Sequence, residues 1–341
     1  MPITPEKAML WEKREGDTVR CFLCAHNCMI ENGRFGSCGM RENTGGELCT
    51  YAYGRVIASH VDPIEKKPLY HFLPGSYAYS IATIGCNFRC SFCQNWSISQ
   101  ASVKNGDAPG EAFSPEEIAD EALRNNCRSI SYTYTEPTIF FEYAYDTARC
   151  AREKGLYNSF VTNGYMTKET IDMIRPYLDA ANIDLKFFSD ASYKKICAGR
   201  LQPVLDSIKN MKAAGIWVEV TTLIVPGLND SDKELRDIAS FLAETGKEMP
   251  WHISAFHPDY KYTESYATPL ETIEKAMEIG KAAGLKYVYP GNAPAPGETL
   301  CPGCDCILIK RDGFAASVSD NFDPETGRCR DCGTMIEGIW K

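Results

Sequence analysis

From residue 78 to residue 295 the chain switches repeatedly between short apolar segments and longer periodic ones. That alternation restricts the fold more than any other feature. Strands are expected at 78–84, 129–134, 157–162, 181–186, 216–224, 251–256 and 286–290. Helices are expected near 114–126, 138–154, 167–176, 203–214, 231–245 and 269–283. Ser114-Pro115-Glu116-Glu117, Thr167-Lys168-Glu169 and Asp230-Ser231-Asp232 carry helix-start signals. Repeated strand–helix units imply a parallel α/β sheet, and six or more favour a barrel or partial barrel. Periodicity leaves an open doubly wound sheet as the other solution. Polar residues recur at the expected strand ends, where such sheets build their sites. They include Glu136, Asn163, Asp184, Lys186 and His257. Taken singly, each has an ordinary reading: a turn, an ion pair between Asp184 and Lys186, or a surface histidine.

The loop expected after the first of these strands reads Cys86-Asn87-Phe88-Arg89-Cys90-Ser91-Phe92-Cys93. Cysteine supplies 16 of 341 residues, so a given three-cysteine spacing arises by chance only about 0.035 times per chain of this composition. Thiolates are soft ligands for iron–sulfur clusters. A 4Fe–4S cube held by three of them has one iron left open for chemistry. Spacing alone also allows a zinc site completed by a distant ligand.

The intervening residues separate these cases. C-x3-C-x-Phe-C followed by Gln94-Asn95 resembles the signature of radical S-adenosylmethionine (SAM) enzymes, particularly the branch that activates pyruvate formate-lyase and other glycyl-radical enzymes. The resemblance covers roughly residues 79–292 and implies a partial (β/α)6 barrel. It implies that Cys86, Cys90 and Cys93 hold a 4Fe–4S cluster, that SAM chelates the open iron, and that Phe92 lies near the adenine. It places Glu136 by the SAM amine, with Tyr134 and Thr135 standing where the family has glycines. Asn163 matches a Thr-Asn-Gly motif, Asp184 and Lys186 match an Asp-Leu-Lys motif, and His257 matches a histidine after the sixth strand, all near SAM. Val161 stands where some activating enzymes have an acidic cation ligand, so no monovalent cation is expected.

Two flanking segments carry further cysteines. Residues 1–77 form a Cys-rich segment and connector, with Cys21, Cys24, Cys28 and Cys38 in one group. Spacing leaves zinc and a second cluster both open there. The connector holds Asp62-Pro63-Ile64-Glu65-Lys66-Lys67-Pro68-Leu69, read as a crossing of the barrel rim; a similar stretch precedes the cluster loop in related radical SAM proteins, which implies a place near the active site, with no role assigned to Glu65 or Lys66. Beyond the barrel (78–295), residues 296–341 hold Cys301-x2-Cys304 and Cys329-x2-Cys332, with Cys306 as an extra thiol. Paired C-x2-C knuckles around a hairpin-sized insert resemble a zinc ribbon, with a cluster as the alternative. The whole arrangement is similar to the radical SAM protein of the AmmeMemoRadiSam system, a group named for its association with two other proteins.

The net charge of −9 disfavours a broad nucleic-acid surface. No apolar run approaches the ~20 residues of a membrane span. Met1–Lys7 lacks a leader pattern, and a cytoplasmic protein with metal chemistry rather than disulfides is expected. The resemblance implies an enzyme that cleaves SAM reductively to a 5′-deoxyadenosyl radical, with flavodoxin or ferredoxin as electron donor. The target is a glycyl residue of a partner enzyme, a different protein, or a small molecule. The rival reading is a non-catalytic redox-sensing or binding protein.

Overall fold

The computed structural model describes residues 5–103, 108–295 and 297–341. Residues 1–4, part of the stretch read for a leader, and residue 296, the expected start of the tail, lie outside the described residues.

The expected alternation folds into one eight-stranded sheet whose spatial order follows the sequence. Its strands are β1 (Ala58–Pro63), β2 (Tyr77–Ala82), β3 (Ser129–Tyr132), β4 (Tyr157–Thr162), β5 (Ala180–Asp184), β6 (Trp217–Ile224), β7 (Trp251–Ala255) and β8 (Val288–Gly291). From β2 to β8 every neighbouring pair is parallel. The helices α1 (Pro115–Arg124), α2 (Phe141–Glu153), α3 (Lys168–Ile174), α4 (Leu201–Ala213), α5 (Asp232–Thr245) and α6 (Leu270–Ala282) connect them. Six strand–helix units thus form a partial barrel, open between β1 and β8, which are not paired. The expected α/β architecture with Cys-rich extensions is what the chain adopts.

Local chemistry explains the element ends. Ser114 and Glu117 form a reciprocal capping box at the start of α1. Thr167 and Ser231 cap α3 and α5 through their side chains. Strand interiors are apolar and buried on both faces, as Ile130, Phe160, Ile183, Val220 and Ile253 are, because helices cover one side and the barrel interior the other. Gly164 follows β4 at φ +69, where a Cβ would stand 2.7 Å from Ile183 Cγ2. Only glycine meets both demands.

The connector differs from its reading as a rim crossing. Ala58–Pro63 pairs antiparallel with all of β2 and forms the sheet edge. Its composition hid the strand: Ser59, His60 and the buried Asp62 interrupt the apolar pattern. The chain after it floors the barrel at the strand N-termini. Glu219, near the start of β6, accepts from Tyr70 N (2.9 Å), His71 N (2.7 Å), Trp217 Nε1 (3.0 Å) and His252 Nε2 (2.6 Å).

The tail completes this floor. β9 (Thr299–Leu300), β10 (Ile307–Asp312) and β11 (Ala315–Val318) form a small antiparallel sheet. Leu308, Ile309, Phe322 and Ile336 pack with Tyr70, Tyr287 and Tyr289 in a separate apolar cluster. Leu73 N donates to Ile339 O (2.7 Å), and Tyr157 Oη donates to Lys341 O (2.5 Å). The N-terminal segment instead shares the main core: Val19, Leu23, Ile30 and Met40 are continuous with the barrel residues.

His71 is fully buried between floor and tail. Its Nδ1–H donates to Glu337 O (2.7 Å), so its Nε2 accepts from Tyr289 Oη (2.7 Å). Burial lowers the imidazole from 6.5 to about 4. The unfolded chain therefore takes up a proton below pH 6.5 that the folded chain refuses down to about 4. Stability is intact above 6.5 and should fall through that window, by up to ~3 kcal/mol. Denaturant titrations at stepped pH, read by Trp217 and Trp340 fluorescence beside His71, would show it. A flat profile from pH 7 to 4 would refute it.

Candidate functional site

The loop after β2 carries Cys86, Cys90 and Cys93 into the C-terminal end of the barrel. All three line a cavity of about 1270 Å³. Cys86 Sγ accepts from Phe88 N (3.3 Å), and Cys93 Sγ contacts Ser99 Oγ (3.2 Å). The three thiols do not draw together to the spacing of a single-ion site, since they do not lie mutually within 4.8 Å. Four irons carry their thiolates farther apart than one ion does. The donor set, the N–H contact and the open cavity fit a cluster with one uncovered iron. Phe92 is buried and lines the same cavity, its ring 6.1 Å from Phe187.

Glu136 is buried just beyond β3. Its Oε1 accepts from Thr138 N (3.1 Å), Thr138 Oγ1 (2.6 Å) and Thr162 Oγ1 (2.7 Å), and its Oε2 from Asn163 N (2.8 Å). The carboxylate therefore clasps the ends of β3 and β4 together, a structural duty that sequence reading missed. Oε2 has a lone pair left toward the cavity that Glu136 lines. Burial pushes the carboxyl upward, and these donors oppose the shift. Asn163 Nδ2 donates to Asn87 Oδ1 (2.7 Å) beside the cluster loop and approaches Cys86 Sγ (3.7 Å).

Tyr134, in the place of a family glycine, still adopts a left-handed conformation (φ +62). Such backbone costs a non-glycine residue ~1–3 kcal/mol. The Tyr134 side chain is held to offset it. Its hydroxyl bonds Asp62, the Lys67 ammonium stands 4.5 Å from its ring centroid, and Asn95 Nδ2 donates to its carbonyl (2.8 Å). Asp62 also pairs with Lys66 (2.8 Å) and Lys67 (2.6 Å). Burial would raise the Asp62 carboxyl, but these ammonium and hydroxyl donors hold it well below its ordinary value. Burial lowers Lys67 to about 8. Both lysines line the cavity. The sequence had given Glu65 and Lys66 no role.

Strand β5 ends at Asp184, two residues short of the expected end, and Lys186 lies beyond it. The two still pair at 2.7 Å, and both line the cavity. Cys197, which the sequence reading passed over, is buried against Cys90 and within electrostatic reach of Lys186. His257 is exposed on the rim rather than in the cavity wall, with Gln94 Nε2 2.8 Å from its Nε2. His252 lines the interior instead.

The two flanking cysteine groups differ. In the tail, the sulfurs of Cys301, Cys304, Cys329 and Cys332 lie within 4.8 Å of one another, and an overlapping set has Cys304, Cys306, Cys329 and Asp331. Cys301–Cys332 is 3.5 Å and Cys304–Cys329 is 3.7 Å. Four thiolates around one zinc at 2.3 Å stand ~3.8 Å apart. The N-terminal group of Cys21, Cys24, Cys28 and Cys38 is looser. It packs against the cluster loop, where His26 Nε2 lies 2.8 Å from Asn87 O.

With that geometry in place, comparison with known proteins is informative. The model of the radical SAM superfamily matches residues 80–242. An uncharacterized protein of Methanocaldococcus jannaschii, MJ0808, is 48% identical over 97% of this chain and 98% of its own length. The pyruvate formate-lyase-activating enzyme of Clostridium pasteurianum is 25% identical, over 60% of this chain and 87% of its own. Among solved structures, Streptococcus suis SuiB bound to S-adenosylmethionine shares the fold at a TM-score of 0.51 and 14% identity, covering 68% of this chain and 53% of that one.

The clasp at Glu136 generates a prediction. Glu136→Ala strands the Thr138, Thr162 and Asn163 donors and should cost ~3 kcal/mol of stability in the metal-free protein. Glu136→Gln, which keeps an acceptor oxygen, should cost about half. Urea unfolding of both variants measures this, and an unchanged midpoint for Glu136→Ala would remove the clasp.

Proposed function

The chain belongs to the radical SAM superfamily and is similar to its pyruvate formate-lyase-activating branch; from that premise we propose an enzyme that abstracts hydrogen from a substrate held in the barrel. Cys86, Cys90 and Cys93 would hold a 4Fe–4S cluster with one iron left to SAM, and that pair would supply one-electron reductive chemistry for hydrogen abstraction. The observation that carries this reading is the convergence of those three thiols, Glu136, Asn163, Asp184 and Lys186 on one cavity.

The chain's own residues do the positioning. The free lone pair of Glu136 Oε2 receives the SAM ammonium at a rigid carboxylate. Lys186 offers a cation to the methionine carboxylate, and Asp184 holds that ammonium in place while remaining one-third exposed to accept from a ribose hydroxyl. Asn163 fixes Asn87 and with it the loop beside Cys86. Phe92 gives the adenine an apolar neighbour. His257, on the rim, reaches the site through Gln94, which lines the cavity. The connector and the tail line the cavity from below, which leaves the strand C-terminal end as the approach for a substrate.

Relatives named as activating enzymes support a protein substrate and an external reductant such as flavodoxin or ferredoxin. The other two proteins of the AmmeMemoRadiSam system are the first partners to try. A second reading, modification of a small molecule, is favoured by one observation: Lys66, Lys67 and the tail residues Arg311–Phe314 line the same cavity. They narrow the cavity and suit a small substrate enclosed by protein. In the tail, a structural zinc on Cys301, Cys304, Cys329 and Cys332 would lock these residues in place.

The test is anaerobic. After reconstitution with iron and sulfide and reduction by dithionite, the parent should release 5′-deoxyadenosine from SAM. Cys90→Ala should fall at least 100-fold. A parent with an intact cluster that binds SAM weakly and yields no product would replace the enzyme with a redox-sensing protein.

A further inference from the structure

Four thiols outside the catalytic cavity form a site of their own. Cys21, Cys24 and Cys38 are buried and Cys28 is half-buried, all packed beside the cluster loop. Cys24 and Cys38 are each close enough to Cys21 and Cys28 to feel their charge. Yet among the described residues only the tail gathers three or more ligand atoms within 4.8 Å. A tetrahedral zinc would require ~3.8 Å between its thiolates. The tail meets that spacing and the N-terminal group does not.

Every thiol of this group has an N–H donor. Arg41 Nη1 donates to Cys21 Sγ (3.4 Å), and Ser37 N donates to Cys28 Sγ (3.5 Å). Cys24 accepts from the His26 backbone and Cys38 from the Met40 backbone. Such donors stabilise sulfur that carries negative charge. Arg41 adds a second argument. Its guanidinium is buried, 1% exposed, and ion-paired with Glu142. Its Nε has no partner. With its charge met by Glu142, this buried cation still donates to Cys21 and stands near Cys38, which favours anionic sulfur there.

We propose that Cys21, Cys24, Cys28 and Cys38 hold a second 4Fe–4S cluster, placed to pass electrons to the cluster loop. Two short links join the sites. His26, two residues from Cys24, meets Asn87 O (2.8 Å), next to Cys86. Ser37, which contacts Cys28, accepts at its carbonyl from Arg89 Nη2 (2.6 Å), and Arg89 Nη1 donates to Cys86 O (2.6 Å). One electron enters from a reduced low-potential iron–sulfur protein, and one leaves toward the loop. No covalent bond changes. The electron role rests on the radical SAM reading; the cluster itself does not.

The test separates the two. The full-length Cys86→Ala/Cys90→Ala/Cys93→Ala variant, reconstituted anaerobically, should keep about four irons and four sulfides, together with zinc in the tail. Adding Cys24→Ala should remove the iron and leave the zinc. Zinc in place of iron in the triple variant overturns the proposal. As a control against misfolding, Cys24→Ser in the otherwise unaltered chain should lower iron from about eight to about four. It should keep the loop-cluster resonance that shifts when SAM is added. Unchanged iron content in this variant also overturns the proposal. Reduction of the loop cluster by reduced ferredoxin, followed by its resonance, should slow at least tenfold in Cys24→Ser. An unchanged rate removes the electron role.

Discussion

A single buried carboxylate, Glu219, holds the barrel to its floor. Two of its four donors are backbone N–H groups of the connector, one is an indole of its own strand, and one is an imidazole of the next. Burial would raise this carboxyl, but His252 and His71 beside it bring it below its ordinary value. An anion so placed is stable only with all its donors present. The connector must therefore stop where it does, and the strands β6 and β7 must start in register. Everything above this level inherits the registration, including the height at which Glu136, Asn163, Asp184 and Lys186 emerge at the opposite end.

The three cysteine-rich segments then divide by spacing. The tail brings its thiols close, as one ion requires, and the loop and N-terminal groups keep theirs apart. Cysteine counts do not distinguish these cases; the distances imposed by the surrounding backbone do. The tail has its own small apolar cluster, whereas the N-terminal group is set into the main core. Its geometry is thereby tied to the barrel and to the catalytic loop.

The repeated strands and helices were legible in the sequence because burial on both faces forces continuous apolar runs, and capping residues mark the helix starts. Ser114 and Thr167 did what their types suggest. β1 was not legible, since an edge strand with one solvated face carries polar residues and a proline. The convergence of Cys86, Glu136, Asp184 and Lys186 followed from the rule that strand ends build the site. The clasp formed by Glu136 did not, because its partners Thr138 and Thr162 are ordinary residues whose value lies in aim. Cys197 was likewise hidden: a lone cysteine has no spacing to read. His257 shows the converse, a motif residue whose position on the rim only the fold reveals. Tyr134 shows that a non-glycine residue can hold a left-handed backbone when its side chain is anchored elsewhere.

The floor also has a consequence in time. His71 meets Glu337, a residue 266 positions later in the chain. At a synthesis rate of roughly 5–20 residues per second, its partner leaves the ribosome on the order of ten seconds or more after it does. Throughout that interval Tyr70 and His71 lack their tail partners. The nascent barrel can assemble its upper end, with its cysteine loops, while its base still stands open. Ordering of the base thus waits on the tail, whereas the strands from β1 to β8 are complete before it.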